Sequence, residues 1–333
     1  MSLVSVIIPV YNAEKSIERC LDSIVAQTFQ NYEVIMINDG SGDGSELICK
    51  RYSETYSVFR LISQKNAGPA AARNNGISNA KGTYVYFVDA DDYLEPDLLE
   101  LMVAASEKSQ ADMVICNYFI EKNNGNSIRH EYFCIEGLYE GNELTALNTR
   151  LIDDVSSNRI PPYSWVRMIR KECLDRTTTR YENGMIRSED YHFFVRLQFE
   201  QSKIYVITKP LYHYIEMENS ITHRYVPKYW ESVKLIYQSL SDSLPRNEEV
   251  KRRLDTMLIQ RTMVALNNSS WAEEKKRFKD EVFAIVEDKN VNDAVKGFCF
   301  KDGLKKFGMF FVLLRLKCYW GIYKRYGLKR NKN

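Results

Sequence analysis

With 44% hydrophobic and 27% charged residues over 333 positions, the chain has the balance of a folded protein rather than a disordered or fibrous one, and it is long enough for a catalytic domain plus an appended piece. Seven cysteines, odd in number and never spaced Cys-x-x-Cys, exclude a disulfide framework and a cysteine zinc site and suit a reducing cytoplasm. The net charge of +2 hides an asymmetry: residues 301–333 hold ten Lys/Arg against Asp302 alone, a local +9 on a body of −7.

The opening run Met1-Ser2-Leu3-Val4-Ser5-Val6-Ile7-Ile8-Pro9 has no basic region, and its apolar stretch is short for a secretory signal, so a cytoplasmic protein is expected. β-Branched runs predict strands at 4–10, 32–37, 59–63, 84–88 and 113–118. Helical patterns at 16–26, 45–52, 69–80 and 97–109 alternate with them. This rhythm predicts an α/β fold, a parallel sheet with helices on both faces, whose ligands sit at the carboxyl ends of the strands. Residues 123–143 read as a hairpin and loop, and the pattern is mixed to about 222. From 229 onward long helical periodicities take over, which divides the chain into a catalytic domain, 1–225, and a helical region, 226–333.

Five polar clusters fall where these elements end. Pro9-Val10-Tyr11-Asn12 follows the first strand; Pro and Asn suit a turn, and an aromatic there is placed to stack on a nucleobase. Asn38-Asp39-Gly40-Ser41-Gly42-Asp43 follows the second. Asp43 with Glu46 has capping-box spacing, which leaves Asp39 free to accept hydrogen bonds from a base or ribose. The glycines also raise a nicotinamide-dependent oxidoreductase as a rival, but the strand 59–63 is followed by no acid, and the Gly-x-x-x-x-Gly-Lys-Ser/Thr phosphate loop is absent. In Asn66-Ala67-Gly68-Pro69-Ala70-Ala71-Ala72-Arg73-Asn74-Asn75-Gly76 the small residues allow tight packing of helix on sheet. Arg73 there is either a phosphate or base partner or a surface ion pair.

The sharpest cluster is Asp89-Ala90-Asp91-Asp92 at the end of the fourth strand. Three carboxylates in four residues repel one another and cost several kcal/mol per ion, on the order seen in real proteins, if buried uncompensated. A hard divalent ion, Mg²⁺ or Mn²⁺, takes oxygen ligands and commonly uses one or two carboxylates plus substrate phosphates. The plainer reading has Asp92, Glu95 and Asp97 complementing a helix dipole. The fifth cluster, Arg187-Ser188-Glu189-Asp190-Tyr191-His192, precedes an amphipathic run. Its acids either start a helix, with Ser188 as cap, or supply a general base.

Taken in order, Val-Ser-Val-Ile-Ile-Pro-Val-Tyr-Asn at 4–12, Asn-Asp-Gly-Ser at 38–41, Asn-x-Gly…Ala-Arg-Asn-x-Gly at 66–76, Asp-Ala-Asp-Asp at 89–92 and Glu-Asp at 189–190 resemble glycosyltransferase family 2, of the GT-A fold, over about two-thirds of the chain. The resemblance implies a bacterial-type, inverting, metal-dependent transferase using a UDP-sugar in surface polysaccharide or glycoconjugate synthesis. Its acceptor would be a saccharide, a lipid-linked group or a protein. Pro9, Tyr11 and Asp39 would hold the nucleobase and ribose, with Arg73 and Asp89 beside the nucleotide. Asp91 would bind the metal, Mn²⁺ or Mg²⁺, with His213 or His223 completing its shell. Asp190 would be the base, with Glu189 as second choice. The chain departs from the family at Ile215, where Arg is frequent, and at Arg167, where Lys is. A non-catalytic nucleotide-sugar or partner-binding module of the same fold is the alternative.

Residues 297–328 interleave Phe298, Phe300, Phe307, Phe310, Phe311, Tyr319, Trp320 and Tyr323 with the basic residues. The apolar run 307–314 is well short of the ~20 residues of a membrane span. A helix lying on the inner face of the cell membrane through residues 297–333 is expected, against the alternative that it packs on the catalytic domain with its lysines in water. Nucleic acid is not an expected partner.

Overall fold

The computed structural model describes residues 3–122, 125–130, 135–153, 162–185, 187–216 and 225–330, with side chains to 327. The chain divides into two compact units. The first takes Met1–Leu151, Ser156–Met185 and Glu189–Glu218, and the second takes Ile152–Val155, Ile186–Ser188 and Asn219–Asn333. The main division thus falls at 218/219 where the sequence suggested 225, and two short segments from the middle of the chain group with the second unit.

In the first unit β1 (Val4–Val10), β2 (Tyr32–Asn38), β3 (Phe59–Ser63) and β4 (Tyr84–Phe87) lie in the order β3-β2-β1-β4, all parallel. Their connections are α1 (Ile17–Val25), α2 (Ser45–Thr55) and α3 (Pro69–Asn79). β1 is a run of β-branched residues buried on both faces, as a parallel strand between helix layers requires. On α1, Ile17, Cys20, Leu21 and Ile24 recur at helical spacing and form one buried stripe. α3 lies unusually close to β1: a Cβ on Gly76 would stand 2.2 Å from Ile7 Cγ2, so only glycine allows the approach.

Beyond β4 the sheet becomes mixed. β5 (Tyr93–Leu94), α4 (Leu98–Ser109), β6 (Met113–Glu121), β7 (Ser127–Arg129), β8 (Gly137–Glu140), α5 (Gly141–Leu151), β9 (Arg167–Arg170), α6 (Lys171–Asp175), α7 (Glu189–Phe199) and β10 (Lys203–Ile215) follow in the chain. The full sheet has ten strands along the path β3-β2-β1-β4-β9-β6-β10-β5, with β7 on β6 and β8 on β10. β9 is inserted antiparallel between β4 and β6, so the expected mostly parallel sheet is parallel in its first half and mixed in its second. β10 runs parallel to β6 with register shifts around Pro210, which has no N–H to give the ladder.

The second unit is helical: α8 (Tyr229–Ser243), α9 (Glu248–Ser270), α10 (Lys275–Glu287), α11 (Lys289–Gly297), α12 (Phe300–Phe307), α13 (Met309–Arg315) and α14 (Tyr319–Arg330). Phe307, Phe310, Phe311, Leu314, Ile322 and Tyr326 of the basic aromatic tail are buried in this unit's own core. These side chains thus pack within the helical unit itself, not on the catalytic domain as the alternative had it. Phe300, Met309, Leu316 and Trp320 stay exposed. No helix among the described residues is long and apolar enough to cross a membrane.

Candidate active site

The loops after β1 and β2 are tied together. Asn12, at a left-handed φ of 49°, accepts through Oδ1 from the Gly42 N–H at 2.8 Å and donates its own N–H to Ser41 Oγ at 3.2 Å. Asp43 Oδ1 accepts from the Ser45 N–H, while Glu46 accepts from Ser63 Oγ; the capping-box spacing is used for two separate contacts. Pro9 lies opposite Ile37, one pair before the β1 ladder ends at Val10 and Asn38, and Tyr11 leaves the strand end 55% exposed, its ring open for stacking. Asp39 is buried. It accepts from Gln64 Nε2 (2.8 Å), Ala67 N–H (2.9 Å) and Gly68 N–H (2.8 Å), so its carboxylate orders the loop that leads into α3 rather than standing free for a ribose.

Arg73 enters from α3, which Asn74 fastens to residue 181: its Nδ2 donates to the Tyr181 carbonyl (2.8 Å) and its Oδ1 accepts from the Tyr181 N–H (3.0 Å). The guanidinium is buried and joins three carboxylates, Asp89 Oδ1 at 2.9 Å, Glu189 Oε1 at 3.3 Å and Asp190 Oδ1 at 3.3 Å. Of the two readings, a phosphate or base partner and a surface ion pair, the contacts are those of an ion pair, buried rather than at the surface. Burial works against the Arg73 charge, but Asp190, Asp89 and Glu189 outweigh it and hold the group protonated. The end of β4 and the start of α7, about a hundred residues apart in sequence, thereby meet at one cation.

Asp190 Oδ2 accepts from the Ser164 hydroxyl at 3.0 Å and the Ser164 N–H at 3.4 Å, and 19% of the side chain still reaches solvent. Ser164 opens a single 3-10 turn, Ser164–Val166, that feeds β9. Burial pushes the Asp190 carboxyl up to about 7 against the pull of Arg73, with Glu189 and Asp89 adding to the rise. A carboxylate poised near neutrality beside an opening is the electrostatic profile of a general base. No sequence signal marked Ser164; its bond to Asp190 depends on where β9 is inserted.

The other aspartates of the β4 end separate into distinct roles. Asp92 is fully buried, accepting from Tyr212 Oη (2.6 Å) and the Ile215 N–H (2.8 Å), and the Asp89 N–H donates to the same Tyr212 oxygen (3.2 Å). It pins β4 to β10 and does not complement a helix dipole. Burial and the charges of Asp91 and Asp89 push its carboxyl well up. Glu95 likewise bonds His213, and Asp97 pairs with Lys209. Asp91 is left half-exposed, with no other described residue donating to its carboxylate, and burial together with Asp89 raises it to about 6. Arg19 donates instead to the Asp91 carbonyl, at 2.6 Å.

His213 does not serve as a free ligand. Its Nε2 lies 2.8 Å from Glu95 Oε1 and its Nδ1 2.7 Å from Glu121 Oε1, and the ring is stacked between Tyr93 (4.1 Å) and Phe119 (4.8 Å). Both nitrogens are engaged, which removes it from the expected metal set; His223 lies outside the described residues. Among the described residues no three His, Cys, Asp or Glu side chains converge on one ion position. The Asp91 carboxylate, to which no other described residue donates, still fits a divalent ion whose remaining ligands are diphosphate oxygens and water.

The model of the family described as glycosyl transferase family 2 matches residues 5–172. The putative glycosyltransferase EpsH of Bacillus subtilis is 31% identical over 271 residues, 80% of this chain and 76% of its own. The poly(ribitol-phosphate) beta-N-acetylglucosaminyltransferase TarP of Staphylococcus aureus is 26% identical over 295 residues, covering 85% of this chain and 86% of TarP. Among solved structures, residues 1–349 of S. aureus TarS in complex with UDP-GlcNAc share the fold with a TM-score of 0.73 at 20% identity, over 97% of this chain and 91% of that one.

Proposed function

Because the chain belongs to glycosyltransferase family 2, we propose that it moves a sugar from a UDP-sugar to an acceptor hydroxyl with inversion, Asp190 acting as the base. The observation that carries this reading is the meeting of Asp89, Glu189 and Asp190 at Arg73. The carboxylates of the strand end and of the helix start share one site, as donor and base must. The choice of UDP leans on the TarS complex of the same fold. That of a surface polymer or glycoconjugate as acceptor leans on TarP.

In this mechanism Tyr11 stacks on the base, and the loop that Asp39 orders lines the nucleotide. Asp91 would hold a divalent ion, Mn²⁺ or Mg²⁺, which when bound neutralises charge on the departing diphosphate. Asp190 takes the proton of the acceptor hydroxyl through Oδ2, since Oδ1 is buried against Arg73. The acceptor oxygen bonds the anomeric carbon as the bond to the diphosphate breaks. Help of this kind is worth ~10²–10⁴-fold. Ser164 keeps the carboxylate aimed, and Glu189 shares Arg73 with it.

The test is hydrolysis and transfer from a panel of nucleotide sugars with and without Mn²⁺, run beside Asp91→Ala. Metal-stimulated release of UDP that Asp91→Ala loses is expected. An inert wild-type protein would favour the non-catalytic module. We also propose peripheral membrane contact through the side chains the tail leaves outside its core, Leu316 and Trp320, each 71% exposed, with Lys324 over the Trp320 ring. Sedimentation with anionic vesicles that Leu316→Ser/Trp320→Ser abolishes is the expected result; no sedimentation of the wild type would end the idea.

A further inference from the structure

Tyr163 is 40% exposed although it immediately precedes Ser164, the residue that holds Asp190. Its ring stacks on Trp165 at 4.9 Å and 22°, so one face is covered and the exposed area belongs to the other face and the edge. Trp165 is itself immobilised: it is buried, stacked on Tyr212 (4.5 Å) and Tyr214 (5.6 Å), and met edge-on by Tyr118 (4.8 Å). Arg167 Nη1 donates to the Tyr163 carbonyl at 2.8 Å and fixes the backbone beneath the ring. An exposed aromatic on a rigid, fourfold-aromatic base has little left to lose in order when something stacks on it.

The surroundings show which site the ring faces. The Asp190 charge, after burial, lifts the Tyr163 phenol, and Tyr214 is raised to about 12 by burial, then Asp92 and Tyr163, with Asp91 and Asp89 adding. Ser164, next in the chain, bonds Asp190, and Trp165 stacks on Tyr212, whose hydroxyl donates to Asp92 and accepts from the Asp89 N–H; the Tyr163 and Tyr214 phenol rings both stack on this Trp165. Both keep their protons at neutral pH and can exchange hydrogen bonds with hydroxyls.

From this geometry we infer that Tyr163 is the platform on which a pyranose acceptor stacks, so that the acceptor is a ring sugar rather than an acyclic polyol or a peptide hydroxyl. The inference rests on the sugar-transfer reading above. A pyranose presents a face of C–H groups that covers an aromatic ring while its hydroxyls point outward to polar neighbours, a match to an apolar ring with a polar rim. A ribitol chain has no persistent flat face. A serine or threonine side chain has too little apolar area to use one.

The experiment takes the full chain, the UDP-sugar it hydrolyses, and three acceptor probes: methyl β-glucopyranoside, methyl β-galactopyranoside and ribitol 5-phosphate. Transfer to at least one pyranoside, with none to ribitol 5-phosphate, is expected. In Tyr163→Ala the KM for that pyranoside should rise at least about tenfold with kcat changed less than threefold, and Tyr163→Phe should restore KM, since truncating a stacked aromatic costs more than about 1 kcal/mol. Saturation-transfer NMR of the pyranoside with Tyr163→Ala should lose the signal of its C–H face, a readout independent of turnover. An unchanged KM and NMR signal in Tyr163→Ala, or transfer to ribitol 5-phosphate instead of both pyranosides, overturns the platform alone. Absence of UDP-sugar hydrolysis in the wild type overturns the transferase reading and the platform with it.

Discussion

Replacing Asp190 by Asn separates what this carboxylate does for chemistry from what it costs the fold. In the native chain burial holds the proton on Asp190 up to about pH 7, where an ordinary aspartate releases it near 3.8. Below pH 4 both native and unfolded chains carry the proton, and the group has no effect on stability. Between pH 4 and 7 the unfolded chain gives it up first, so the unfolded state binds fewer protons and stability falls with rising pH. Above pH 7 the loss levels off at ~4 kcal/mol. Asn escapes it, although its amide nitrogen would face Arg73 in place of Oδ1 and give back an estimated ~2 kcal/mol for a buried donor without an acceptor. Asp190→Asn should therefore unfold a few degrees higher than wild type at pH 8.5, at about 2–4 °C per kcal/mol for a large domain. The gain should shrink toward nothing at pH 5. Transfer should drop ~10²–10⁴-fold, and the wild-type rise of kcat/KM with pH, centred near 7, should vanish. Thermal unfolding followed by dye fluorescence from pH 5 to 8.5 measures the first effect and initial rates the second. A melting difference that does not vary with pH, or a variant with near-normal transfer, would refute the account of Asp190.

Arg73→Gln leaves Asp89, Glu189 and Asp190 without their cation. The midpoint of the pH–rate profile should move upward, because Arg73 is what holds Asp190 down, and stability should fall by ~3–5 kcal/mol in urea titrations. Tyr212→Phe takes the hydroxyl from Asp92 Oδ2 and from the Asp89 N–H; a loss of ~1–3 kcal/mol is expected, with the secondary structure by circular dichroism unchanged. Gly76→Ala forces a methyl against Ile7 Cγ2, and a lower urea midpoint worth ~1–3 kcal/mol is the expected outcome.

The first half of the sheet was legible because each of its strands is a short, largely apolar run set off by a helix; β1, for example, begins and ends where the sequence places it. In the second half β6 was read at 113–118, but β5 has two residues, β9 has four with an arginine at each end, and β10 carries Pro210 inside it. None of β5, β9 and β10 shows an alternation long enough to read. The candidate residues themselves were legible as polar interruptions at strand ends, but their partners were not. Asp92 was read onto a helix because Tyr212 lies 120 residues away, and His213 was read as a ligand because Glu95 and Glu121 are 118 and 92 residues distant. Arg73 stayed open between a phosphate or base partner and a surface ion pair for the same reason, its Glu189 partner being 116 residues on. Local sequence gives the type of side chain at a strand end; which other side chain meets it is decided by strand order.

Gly76 sits three residues after Arg73, almost one turn further along the same helix. The depth at which that helix rests on Ile7 is therefore also the depth from which the guanidinium reaches for its carboxylates. A hydrogen atom in place of a methyl, packed against a buried isoleucine, acts as the shim that levels the Arg73 cluster. A change on the dry underside of this helix is therefore expected to reach the carboxylates that Arg73 gathers.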